Sequence, residues 1–218
     1  MLDSQLLPAS QPGSQRLLVM LHGLGDSSQG YLWMPAALRL PWLNYLLVNA
    51  PDPYYGGGSW YDFEGDMVPG VQRSRELLFQ VLDDLRARGF PPEQITLGGF
   101  SQGCVMAMEV GCRYPQRLAG VVGISGYLCA PQSLVRELSP VARQQRFLVT
   151  HGRWDPLLPL ERSQRHMALL RAAGLNLTWR EFDKEHTFIE QELDVLRDFV
   201  EAGYPVQSLA EAGGRRNA

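Results

Sequence analysis

TLGGFSQGC, Thr96 to Cys104, carries more glycine than a quiet structural segment needs. An apolar run through Ile95 and Leu97 reaches Gly98 and Gly99. A single serine, Ser101, then stands between Phe100 and Gln102, with Gly103 beyond. Gly99-Phe100-Ser101-Gln102-Gly103 matches Gly-x-Ser-x-Gly, a spacing with a steric reason. The serine occupies a sharp, strained turn from strand to helix, and small residues two places before and after let the two elements approach. The turn lifts the hydroxyl clear of the backbone. It also sets free N–H groups and the positive end of a helix beneath any developing anion. The plainer reading is a glycine-rich turn that only lets a helix pack on a strand, so the rest of the chain must supply a base, an acid and an anion hole.

Working outward, short apolar runs alternate with helical patterns. Strands are expected at 16–21, 44–49, 95–100, 118–124, 147–150 and 175–182. Helices are expected at 31–40, 68–88, 102–114, 132–138, 161–173 and 188–200, with Gly89 and Gly174 placed to end two of them. The strands are apolar on both faces, the mark of a parallel sheet covered by helices on both sides. The expected fold class is therefore α/β, a single mostly parallel sheet. The segment PDPYYGGGSWYDFEGD, 51–66, is expected as a long functional loop with no simple core element. Residues 1–206 read as one domain and 207–218, small and polar, as a loose tail.

The 218 residues suit one large domain with a sizeable core, and 45% hydrophobic with 20% charged residues is ordinary for a globular protein. A net charge of −3 advertises neither nucleic acid nor anionic membrane as a partner. No apolar run is long enough for a conventional transmembrane helix, so no stable membrane insertion is expected. Cys104, Cys112 and Cys129 are too few and scattered for a disulfide framework, which points to a reducing compartment. The N-terminus has no basic region and no long apolar stretch, so a secretory signal is not expected.

Serine is a poor nucleophile until a base takes its proton. Four histidines are candidates. His22 and His151 end apolar strands and precede glycine, and His22 reads as structural. His166 lies in a polar helix pattern and reads as a surface residue. His186 sits in the loop DKEHTF after the last strand and before the last helix. Ligand sites in such sheets lie beyond the carboxyl ends of the strands, which favours His186. The base needs an orienting carboxylate. Asp155, in HGRWDPLLP straight after a strand, gives the chain order Ser101, Asp155, His186 expected of this architecture. Asp183 and Glu185, beside the histidine, are its rivals. For the anion hole, one donor is the backbone N–H of Gln102. The other comes from the loop His22-Gly23-Leu24-Gly25-Asp26, most simply from Leu24. No phosphate-binding glycine pattern is present, so a nucleotide site ranks low.

Together HGLGDSS, SWYDF, GGFSQG, HGRWDPLLP and EHTF resemble the small phospholipase/carboxylesterase family of α/β-hydrolases, which includes acyl-protein thioesterases and short-chain bacterial carboxylesterases. The resemblance runs from about residue 16 to residue 200. It implies an α/β-hydrolase fold, Ser101 as nucleophile, Asp155 as acid, His186 as base, and the N–H groups of Leu24 and Gln102 as the hole. It implies a cytoplasmic enzyme without metal or cofactor, acting on small-molecule esters or acyl thioesters. It allows a weak homodimer through surface loops. Trp60, Tyr61 and Asp62 match a segment that shapes the substrate entrance, and Trp154, Leu157 and Leu158 are further candidates for an acyl groove. Three positions depart from the family pattern. Cys104 stands for a usual second glycine, Pro156-Leu157-Leu158-Pro159 for a valine-proline step, and Glu185 for a glycine before the histidine.

The function expected is a serine hydrolase of short- to medium-chain carboxylic esters that works through an acyl-serine. The alternative is an acyl-protein thioesterase or lysophospholipase for long chains. A binding protein on a hydrolase scaffold ranks lower, because none of the three catalytic residues is missing.

Overall fold

The computed structural model describes residues 2–204. The expected tail at 207–218 lies outside the described residues, as do the last two residues of the expected domain. Seven strands form one sheet: β1 (Ser4–Leu7), β2 (Leu17–Leu21), β3 (Asn44–Val48), β6 (Ile95–Phe100), β7 (Gly120–Ile124), β8 (Arg146–Gly152) and β9 (Asn176–Phe182). A separate hairpin pairs β4 (Asp52–Tyr54) with β5 (Gly57–Ser59). The main order is β1-β3-β2-β6-β7-β8-β9, parallel throughout except for β1. The helices are α1 (Met34–Leu38), α2 (Met67–Ala87), α3 (Gln102–Arg113), α4 (Pro131–Arg136), α5 (Leu160–Ala172) and α6 (Glu190–Ala202).

Alternation within the central strands divides the core into two layers. Leu17, Val19 and Leu21 of β2 join Val121 of β7 and Phe147 and Val149 of β8 in a cluster with α2 and α3. Leu18, Met20, Val122, Ile124 and Leu148 face the other way, into a cluster with α1 and α6. Each strand thus presents apolar side chains to both faces, which is why it reads as a continuous apolar run. Full burial of each such side chain favours folding by roughly 1.5–3 kcal/mol.

Several boundaries differ from the sequence expectations. Ser4–Leu7 forms an edge strand that has no apolar run, because only alternate residues are partly covered. The region 31–40 is not one helix. A 3₁₀ turn covers Ser28–Tyr31, and α1 is a short helix with Pro35 in its first turn and a left-handed Arg39 at its end. The loop 51–66 contains the β4–β5 hairpin, turning through positive φ at Tyr55 and Gly56. Strand β8 runs on through His151 and Gly152, which pair with Glu181 and Phe182 of β9. Helix α6 begins at Glu190 instead of Phe188, since Ile189 is extended and Phe188 turns inward against Phe100. Among the described residues, no helix is long and apolar enough to cross a membrane.

Candidate active site

Ser101 sits between β6 and α3 with φ 55° and ψ −115°, the left-handed side of the map, where a residue with a side chain is strained. Two glycines make the turn possible. A Cβ on Gly99 would lie 2.0 Å from the Gly103 carbonyl oxygen, and one on Gly103 would lie 2.1 Å from the Leu21 carbonyl oxygen. The pentapeptide is therefore a packing requirement between β6, α3 and β2. The Ser101 N–H is tied to the Ile124 carbonyl of β7 at 2.9 Å, which anchors the turn to the neighbouring strand.

His186 and Asp155 meet on the loops after β9 and β8. His186 Nδ1 lies 2.7 Å from Asp155 Oδ2. An ionised carboxylate only accepts, so Nδ1 carries the proton and donates it, leaving Nε2 with its lone pair. The other carboxylate oxygen, Oδ1, accepts the N–H groups of Leu157 and Leu158 at 3.0 and 2.9 Å. The Asp155 side chain has no solvent exposure. Burial by itself would raise its pKa. The bond from His186, the N–H groups of Leu158 and Leu157, and the charge of the imidazole together outweigh burial and hold the carboxyl below its ordinary value. The rivals are occupied or turned away: Asp183 is exposed and paired with Arg153 at 2.9 Å, and Glu185 is exposed.

The imidazole of His186 packs on Phe100, the residue before Ser101, with ring centroids 4.8 Å apart. Phe188 packs on Phe100 at 4.9 Å. Phe100 thus brings the His186 loop against the serine turn, a contact that no spacing in the sequence reveals. Ser101, Gln102, Leu24 and His186 line one cavity of about 470 Å³, with Phe63, Tyr61, Tyr127, Leu157 and Leu158 among its walls. Among the described residues, no backbone acceptor takes the N–H of Leu24 or of Gln102.

The segment around Trp60 lies differently from expectation. Trp60 is fully buried and is not an entrance residue. Its ring N–H donates to the His22 carbonyl at 2.9 Å, and its backbone N–H donates to Gln102 Oε1 at 2.9 Å. Gln102 Nε2 in turn donates to the Tyr61 carbonyl at 2.9 Å. The glutamine of the serine motif therefore pins this segment under the site. Tyr61 is buried and reaches the cavity wall. Asp62 points to solvent, accepts the N–H of Glu64, and does not line the cavity. Leu157, 67% exposed, and Leu158 line the mouth, whereas Trp154, 65% exposed, stands outside it.

The other histidines are structural. His22 Nε2 accepts the Ala50 N–H at 3.0 Å, so its Nδ1 donates to the Gly23 carbonyl at 2.6 Å. This holds the glycine loop that presents Leu24. His151 is buried, donates to the Leu158 carbonyl at 2.9 Å and steadies the Asp155 loop. His166 is not a free surface residue: it is half-buried and its Nδ1 accepts the Leu128 N–H at 3.0 Å. Cys104 is buried beneath the serine turn, and burial pushes its thiol up to about 12, where it is no nucleophile.

A mostly parallel sheet, a strained serine turn at the end of a central strand and a carboxylate-oriented histidine beyond neighbouring strands define an α/β-hydrolase. The family model for phospholipase/carboxylesterase matches residues 6–203, and the chain belongs to that family. It is similar to acyl-protein thioesterase 1 of Schizosaccharomyces pombe, 34% identical over 65% of this chain and 69% of the relative. It is also similar to acyl-protein thioesterase 1 of Gibberella zeae, 26% identical over 86% and 90%. The crystal structure of esterase PE8 superposes with a TM-score of 0.84 at 28% identity, covering 93% of this chain and 99% of that one. The protein is an ester-hydrolysing enzyme of this family.

Proposed function

We propose that the protein is a serine carboxylesterase of short- to medium-chain esters, acting through an acyl-serine. The observation that carries this reading is the convergence of Ser101, His186 and the free N–H groups of Leu24 and Gln102 on one apolar cavity. His186 Nε2 takes the Ser101 proton as Oγ attacks the acyl carbonyl. The oxyanion accepts from the N–H groups of Leu24 and Gln102. The leaving alcohol departs with the proton held by His186, and water activated by the same imidazole then frees the acid. Asp155 keeps its charge throughout and stabilises the imidazolium.

Leu157, Leu158, Phe63 and Tyr127 give the acyl chain an apolar wall. Thioester cleavage with longer chains is the second reading, and the two acyl-protein thioesterase relatives favour it. The three free cysteines support a reducing, cytoplasmic setting. Steady-state hydrolysis of p-nitrophenyl esters from acetate to palmitate, beside an acyl-thioester series, tests the proposal. An optimum in kcat/KM at short or medium chains is expected. Preference for palmitoyl thioester would replace the first reading by the second, and activity retained in Ser101→Ala would remove both.

A further inference from the structure

Of the 20 basic residues counted as Lys+Arg in the chain, a single one is lysine, and it is Lys184. Among the described residues it is also the one buried Lys or Arg, with no side-chain exposure. Its ammonium lies 2.6 Å from Oε1 and 2.7 Å from Oε2 of Glu192, which is itself 1% exposed and sits in the first turn of α6. The same nitrogen donates to the Thr187 carbonyl at 2.8 Å. The ammonium thus donates to two acceptors, the Thr187 carbonyl and Glu192 Oε2, with Glu192 Oε1 in ion-pair contact beside them. A compact ammonium fits that arrangement and a planar guanidinium does not.

The bond to Thr187 spans Glu185 and His186, so Lys184 closes a turn that carries the base. The backbone side of the turn is fixed as well. The Trp154 N–H donates to the Lys184 carbonyl at 3.1 Å, and Gly152 lets the carbonyls of Lys184 and Glu185 approach so closely that a Cβ there would lie 2.3 and 2.7 Å from them. Burial disfavours the charged amine, and Glu192 and then Asp155 oppose that effect. A buried ion pair is weak evidence for stability, because apolar residues of similar volume do as well or better. Its geometry here serves another purpose.

We infer that Lys184 is a positioning residue for His186: its ammonium, held by Glu192, draws in the Thr187 carbonyl and fixes the turn on which the imidazole is mounted. This rests on the reading of His186 as the base. Lys184 touches neither the substrate cavity nor the Asp155–His186 bond, so it acts on kcat through the angle and reach of the ring. Displacement of a catalytic group by about 1 Å costs on the order of a hundredfold in rate.

The test compares wild type, Ser101→Ala, Lys184→Met and the double variant Lys184→Met with Glu192→Leu, by melting temperature and by kcat and KM on one p-nitrophenyl ester. The single change strands the Glu192 carboxylate and is expected to melt early. The double change removes both charges and is expected to fold with a melting temperature near that of wild type, with kcat down by about ten- to a hundredfold and KM unchanged. The downfield proton resonance of His186 Nδ1–H is expected to broaden or shift in that variant. A folded double variant with wild-type kcat and an unmoved resonance would overturn the inference. So would one that does not fold, since the pair would then be part of the fold itself. Activity surviving in Ser101→Ala would instead remove the underlying reading, so the two failures are distinguishable.

Discussion

Asp155 holds His186 through one oxygen and its own loop through the other. Oδ2 receives the imidazole Nδ1–H at 2.7 Å, and Oδ1 receives the N–H groups of Leu157 and Leu158. The carboxylate that orients His186 therefore also shapes the loop that supplies two walls of the cavity. Asp155→Asn keeps the size but offers an N–H where the imidazole must donate, which favours the wrong tautomer. We expect kcat to fall by about 10⁴ with the fold intact. A variant within about tenfold of wild type would place the acid elsewhere.

The pH dependence of stability follows from burial. Desolvation holds His22, His151 and His166 below the ordinary histidine pKa. The unfolded chain takes up those protons as pH drops below about 6.5, while the native state does not. Their stabilising effect is complete above that pH and is lost as pH falls. Asp155 adds a second decline. Its folded pKa is depressed, so its contribution is present above about pH 4 and is lost as pH falls through the folded value. Melting temperature should fall between about pH 6.5 and 5, and more steeply below about pH 4. A flat profile down to about pH 5 would contradict the burial of neutral imidazoles.

The cavity walls make a prediction about chain length. Leu157 and Phe63 are exposed at the mouth, yet line the cavity. Leu157→Ala and Phe63→Ala should each weaken kcat/KM for the longer esters by about 1–2 kcal/mol, roughly five- to thirtyfold, with little effect on acetate. Trp154→Ala should leave the whole ester series unchanged, because its ring stands outside the cavity. An equal loss for acetate and decanoate in the Leu157 variant would show that the residue does not meet the acyl chain.

Cys104 stands three residues after the serine but belongs to the packing. Burial pushes its thiol up to about 12 and leaves it no exposure, so it should resist iodoacetamide in the native protein and react only on unfolding. Native-state alkylation at Cys104, read by peptide mass mapping, would show that the serine turn opens.

The sheet was legible because strands covered on both sides must be apolar throughout, and Leu17–Leu21 or Gly120–Ile124 could hardly be anything else. The order Ser101, Asp155, His186 was legible because each follows a strand at the same edge. The edge strand Ser4–Leu7 was not, since half-covered residues leave no pattern, and neither was the hairpin that turns through Tyr55. Trp60 and Asp62 were expected at the entrance from the resemblance of SWYDF to a family segment, and that match does not say which of its side chains turn inward. The reason for burying Trp60 lies in Gln102, whose amide satisfies the backbone of that loop from 42 positions away. Phe100 was missed for a similar reason: as the variable residue of the serine motif it carries no signal, and its stacking on His186 needs the fold.

The most direct test of the serine's role is intact-mass measurement after mixing the protein with a fluorophosphonate, beside Ser101→Ala. One adduct per chain on the wild-type protein and none on the variant is the expected result. An equal adduct on Ser101→Ala, or none on folded wild-type protein, would contradict an activated Ser101.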